Sequence, residues 1–289
     1  MQPPYEEKTF ESYFNSELNR KAPIYFPFGQ VQEGSIGADA SFFSRNHRLW
    51  WRLGYPFIFH APFSGVDIRE IAAEMERCLG QEIRNIPSIK ANLLFQYKRP
   101  RLITNKRGLE WIHWNQKYFR YDIFQEQQEL LEHIATKFGH QALVLYASPA
   151  LGNIDELVDA KQRGLIIEST NFRPAQELTG HHRNTYTKAG THSIACSEPE
   201  RLEQFDLLST LKQLESTRSG DNLELVLQFT EDIRAIAKEN NFFGRAFQSE
   251  LQAYNEAGIG SYPLYFSMIS MSIFKELTGV QWILATSEQ

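Results

Sequence analysis

Apolar positions recur at helical spacing in some stretches of the chain and alternate or run together in others. Phe10, Tyr13, Phe14 and Leu18 fall at i, i+3, i+4 and i+8, with Glu6, Glu7, Glu11 and Glu17 around them. That spacing predicts an amphipathic helix over residues 6–19. Pro23 and Pro27 stop it, and a turn at Gly34-Ser35-Ile36-Gly37 leads into a short predicted strand, Ala38–Phe43. An aromatic-rich piece follows from Leu49 to Phe59. Val66–Leu79 puts Ile68, Ile71, Ala72, Met75 and Leu79 on one helical face. Ala91–Lys98 reads as a strand cut off by Pro100, and Lys117–Ile123 alternates as another. Gln125–Phe138 and Asn153–Arg163 read as helices. Between them Gln141–Tyr146 is almost continuously apolar, the pattern of a strand covered on both faces.

Strands and helices therefore alternate to about residue 170, which predicts an α/β fold with a mixed sheet flanked by helices. The last third changes character. Residues 202–214, 222–239, 243–257 and 262–277 read as helices, and Leu223, Val226, Leu227, Ile233 and Ile236 form a core-facing stripe. The expected organisation is a core over residues 1–200 and a mainly helical portion, 201–289, packed on it. No Pro/Gly/Ser-rich linker marks that boundary.

With 42% hydrophobic and 22% charged residues, the 289-residue chain is too apolar for intrinsic disorder. The polar, acidic start is neither a secretory signal nor a transit peptide, and no apolar stretch reaches membrane-spanning length. Cys78 and Cys196 are too few for a disulfide scaffold. A cytoplasmic protein without membrane contact is the expectation. A net charge of −5 argues against coating nucleic acid with the whole surface. Locally the picture reverses: residues 97–107 hold Lys98, Arg99, Arg101, Lys106 and Arg107 and no acid. Such a run, with Lys117 and Arg120 beyond it, suits a phosphate backbone. Trp111, His113 and Trp114 nearby either stack on bases or belong to the core.

The pattern that bears chemistry is Gln96-Tyr97-Lys98 at a strand end. Alternation puts Gln96 and Lys98 on one face and turns Phe95 and Tyr97 into the core. An amide oxygen there can help hold a hard divalent cation, while the ammonium orients water or balances charge developing on a phosphate. The carboxylate such a cation needs is Asp39, an acid placed in a predicted strand, with Glu33 as a second carboxylate or a water bridge. The same spacing at Glu6-Glu7-Lys8 opens a helix and at Asp159-Ala160-Lys161 lies on one, where positions i and i+2 diverge.

An acidic helix, then Gln32-Glu33 and Gly37-Ala38-Asp39, then an apolar strand ending Gln96-Tyr97-Lys98-Arg99-Pro100, resembles the PD-(D/E)xK nuclease superfamily. The likeness is to its restriction-endonuclease-like branch in which glutamine replaces the second acid. It covers about residues 6–150 and extends to the helix Gln125–Phe138 and the apolar strand ending Tyr146-Ala147-Ser148-Pro149. The resemblance implies Asp39 as the metal-binding aspartate, Gln96 as the variant second acid and Lys98 as the lysine. Mg2+, or Mn2+ in its place, is the implied metal, and Glu7, Glu11 or Glu17 the opening-helix glutamate. Arg99, Arg101, Lys106 and Arg107 are the expected DNA contacts.

Other constellations are weaker. His181, His182, His192 and Cys196 match no common zinc spacing. Neither cysteine sits in a hydrolase signature. Gly-rich phosphate loops are absent, so no nucleotide cofactor is expected. The sequence thus points to a metal-dependent nuclease acting on DNA, in bacterial defence or repair. The alternative is a catalytically degenerate relative that binds DNA or protein, as a homodimer or as a subunit of a defence complex.

Overall fold

The computed structural model describes residues 2–27, 68–214 and 221–288. The predicted strand at 38–43, with Asp39, and Glu33 before it lie outside the described residues. The helices are α1 (Glu7–Lys21), α2 (Ile68–Asn85), α3 (Trp111–Trp114), α4 (Gln125–Phe138), α5 (Ile154–Arg163), α6 (Leu207–Gln213), α7 (Asn222–Glu239), α8 (Gly244–Glu256) and α9 (Pro263–Thr278). The strands are β1 (Ile24–Tyr25), β2 (Ile89–Tyr97), β3 (Arg101–Ile103), β4 (Tyr118–Asp122) and β5 (Ala142–Pro149). They continue with β6 (Thr170–Pro174), β7 (Arg183–Tyr186), β8 (Ser193–Ala195), β9 (Glu200–Leu202) and β10 (Val280–Thr286). The chain is α/β, as its alternating pattern predicts. Among the described residues no helix is long and apolar enough to cross a membrane.

The first sheet is mixed and runs β1-β10-β2-β5-β6. β2 and β5 are parallel, and every other pair is antiparallel. β2 is buried along nearly its whole length instead of alternating between core and solvent. One face meets α1, where Phe10, Phe14, Phe95 and Tyr97 pack with ring centroids 5.3–6.0 Å apart. The Tyr97 hydroxyl donates to Asn15 Oδ1 at 2.7 Å, which satisfies two groups that burial would otherwise leave unpaired. The other face meets α4. Glu17, also on α1, is buried because its carboxylate accepts from the Ile166 and Ile167 amides at 2.8 and 3.1 Å and pairs with Lys21 at 3.0 Å.

The second sheet, β3-β4-β7-β8-β9, is antiparallel throughout. Three of its strands come from residues 183–202, a stretch whose polar composition reads as loop. The Tyr186 hydroxyl donates to Ser148 Oγ at 2.8 Å and lies 3.0 Å from the Pro149 carbonyl, tying this sheet to the end of β5.

The described residues divide into two compact units, and neither follows the expected boundary near residue 200. Both sheets, with α1, α3–α6 and β10, form one unit. The other unit contains α2, α7, α8 and α9 up to Leu277. In it the Glu76 carboxylate accepts from the Leu264 and Tyr265 amides at 2.8 and 2.9 Å, satisfying two donors at the start of α9. Thr230 and Ser267 hydroxyls meet at 2.9 Å between α7 and α9. So the 201–289 portion is not one body: α6 and the final strand belong to the unit of the two sheets, and α7, α8 and α9 group with α2.

Candidate functional site

Gln96 and Lys98, the latter just past the end of β2, do lie on one side of the strand, but that side is covered. Gln96 is 4% and Lys98 9% exposed. α4 provides the cover through Gln127. The Lys98 ammonium donates to Gln127 Oε1 at 2.6 Å, and Gln127 Nε2 donates to Gln96 Oε1 at 2.7 Å and to the Thr278 carbonyl at 2.9 Å. Gln96 Nε2 in turn donates to the Tyr97 carbonyl at 3.2 Å. Ammonium and amide are therefore coupled through a third residue that no sequence pattern singles out. Gly279, with φ of +72°, lets the chain turn from α9 into β10 directly against Gln96. A side chain there would approach the Gln96 amide to 3.4 Å and strain the left-handed backbone.

Two aromatic rings also adjoin Lys98. Its ammonium lies 5.1 Å from the Phe124 ring centroid and 5.7 Å from that of Tyr146. Among the described residues Lys98 makes no ion pair. Burial consequently lowers its pKa to about 8, against the opposing fields of Glu7 and Asp122. Glu7 is the opening-helix glutamate that approaches this point: its Oε2 accepts from the Arg99 amide at 3.0 Å. Burial raises the Glu7 carboxyl, opposed by that amide and by the Lys98 charge. Glu17 is committed to the 166–167 turn.

The basic run is less uniform than its composition suggests. Lys98 is interior. Arg99 donates to the Tyr5 carbonyl at 3.0 Å and lies 3.5 Å from Glu6. Arg101, Lys106 and Arg107 are exposed and form no ion pair among the described residues, and Lys117 is exposed as well. Arg120 belongs to a different network. Buried Glu110 accepts from the Tyr118 hydroxyl at 2.8 Å and from Arg183 at 2.6 Å, with Arg120 at 3.6 Å. Arg183 also reaches Asp122 at 3.0 Å. Burial acts to raise the Glu110 carboxyl, but Tyr118 and Arg183 outweigh it and hold the group below its ordinary value.

Trp114 belongs to the core, as one of its two sequence readings had it: its indole N–H donates to Thr185 Oγ1 at 3.1 Å and its ring stacks on His192 at 5.1 Å. The drawn zinc set disperses. His181 faces Glu200 at 3.4 Å, His182 meets Ser197 Oγ at 2.6 Å, and the Cys196 thiol donates to the Ile194 carbonyl at 3.5 Å. Among the described residues no group of three or more His, Cys, Asp or Glu is placed to hold a metal ion. Compared with models of known protein families, with curated proteins and with solved structures, the chain matches none.

Proposed function

We propose that the chain is a metal-dependent nuclease that hydrolyses DNA phosphodiester bonds, with Mg2+ or Mn2+, on a restriction-endonuclease-like core. The observation that carries this reading is Lys98: a buried ammonium that makes no ion pair among the described residues, joined to Gln96 through Gln127 and adjoining a run of exposed cations. A charge held in that way at a strand end is costly to structure, which is a reason to seek its use in chemistry. In this reading Lys98 orients the attacking water or balances charge on the phosphate, and Arg101, Lys106 and Arg107 bind the backbone.

The described residues do not by themselves fit a divalent cation. Gln96 Oε1 is engaged by Gln127, and Glu7 Oε2 by the Arg99 amide. The carboxylates the cation requires in this reading are Asp39 and Glu33. Plasmid cleavage with Mg2+ or Mn2+ tests the proposal: nicking by wild type and its loss in Lys98→Ala and Asp39→Ala are expected. A wild type inert on every DNA form overturns it.

One observation favours the second reading, a degenerate member that binds DNA or protein without cutting. Gln96 and Lys98 are nearly inaccessible, and the Gln96 amide is engaged by Gln127 and the Tyr97 carbonyl. Calorimetry separates the readings. A degenerate site takes up no Mg2+ and is indifferent to Asp39→Ala.

A further inference from the structure

Leu109 and Ile112 are 77% and 76% exposed, in a segment held by the buried side chains of Glu110 and Trp114. The connection from β3 to β4 is a compact lobe. Gly108 fits so closely that an added side chain would come within 2.6 Å of Ile103 and of the Tyr118 hydroxyl. The Arg107 and Gly108 amides both donate to Asn105, to its side chain and its carbonyl respectively, each at 2.9 Å. Glu110 is locked by Tyr118 and Arg183, and Trp114 by Thr185 and His192. Between those two inward anchors Ile112 and His113 point to solvent, and Leu109 does so just before the first. Their exposure belongs to a rigid surface, not to a frayed loop.

The same segment carries Lys106, Arg107 and Lys117, all exposed and none in an ion pair among the described residues. Three occupants can be compared. A second copy of this lobe would set like charges against each other in a two-fold contact. An anionic lipid surface is held by a long amphipathic face, whereas two side chains bury too little for anchoring. A nucleic-acid groove needs only one or two apolar wedges, with cations on the flanking phosphates. Size and charge together select the last.

We propose that residues 104–117 form a preorganised wedge that seats Leu109 and Ile112 in a groove of duplex DNA while Lys106, Arg107 and Lys117 hold the adjacent phosphates. The inference rests on the DNA partner of the reading above, but not on hydrolysis.

The test uses the full chain and a short fluorescent duplex of mixed sequence, with Mg2+ omitted so that only binding is read. Leu109→Ser/Ile112→Ser should bind about tenfold more weakly with an unchanged salt dependence. Lys106→Gln/Arg107→Gln should instead flatten the salt dependence by about two phosphate contacts. A base analogue within the duplex should brighten with wild type, as stacking opens, and not with the apolar double variant. Phe242→Ser, which removes an equally exposed ring outside the lobe, should bind as wild type does. Duplex binding by wild type that the apolar double variant retains in full overturns the wedge and leaves the DNA reading standing. A wild type that binds no duplex overturns the DNA reading as well. Binding to phosphatidylserine vesicles in place of duplex, or dimerisation lost with the apolar side chains, overturns it in favour of those partners.

Discussion

Around Glu110 a buried charge is answered from several sides. Arg183 and Tyr118 donate to its carboxylate, Arg120 stands close, and Asp122 takes up the other side of Arg183. Around Lys98 the answer is an amide oxygen and two ring faces. Both groups sit in the same compact unit, yet burial is opposed in one case and left standing in the other. The carboxyl of Glu110 is held in its charged form, while the ammonium of Lys98 is drawn toward neutrality. A matched charge fixes geometry, here that of the 104–117 lobe. An unmatched one is easily deprotonated and responds to whatever charge comes near it.

The largest effect that could break this contrast is expected at Glu110. Glu110→Gln leaves Arg183 and Arg120 with Asp122 as their remaining carboxylate and should lower the unfolding free energy by about 3 kcal/mol in a urea titration near neutral pH. The folded carboxyl titrates below its unfolded counterpart, so its contribution is complete above the unfolded pKa and is lost as pH falls through the folded one. The deficit of the variant should therefore shrink in acid, and a constant deficit there would show that the charge is irrelevant.

Lys98 predicts a rise of the same sign in a more alkaline window, where Glu110 no longer titrates. With a folded pKa of about 8 it releases its proton well before the unfolded chain does, so the unfolded state binds more protons above that point and stability rises with pH. Wild type should gain roughly 2 to 3 kcal/mol between pH 8 and pH 10, a rise that Lys98→Met should lack. Equal slopes for the two proteins would remove the idea of an uncompensated charge. A smaller effect sharpens the same point: Glu7 and Asp122 support the ammonium, so Glu7→Gln should move the inflection further below pH 8. Smallest of all, Leu109→Ser/Ile112→Ser should change stability by no more than about 0.5 kcal/mol per site, because both side chains already face water.

Long periodic elements were legible from residues alone. Gln125–Phe138 and Asn222–Glu239 have the bounds that their apolar spacing predicts, and the Phe10, Phe14 and Leu18 stripe is buried. Alternation along β2 was also legible, for Gln96 and Lys98 do share a face. What a single strand cannot reveal is that a helix covers that face. Gln127 carries no signal, being one of several glutamines on α4, and its own partners, Lys98, Gln96 and Thr278, are distant in sequence. Strands β7, β8 and β9 are three or four residues long and polar, too short for a period of two to emerge. β10 is different. Val280–Thr286 is an apolar run like β5, but it follows a helix closely, and only Gly279 marks the change. Glu110 and Arg183 meet only because β4 pairs with β7.

The position of β10 has a consequence for how the molecule comes into being. On a ribosome, β2 emerges long before residues 280–286, the segment that forms its antiparallel ladder and connects it to β1. Until then β2 has one open edge, and its apolar residues wait for a partner whose helical neighbours must be made first. Closure across such a separation is slow, and an open apolar edge invites pairing with other chains. Release of a shortened chain ending before Val280 should therefore yield aggregate, and chaperone dependence should be greatest in the interval before that last strand is added.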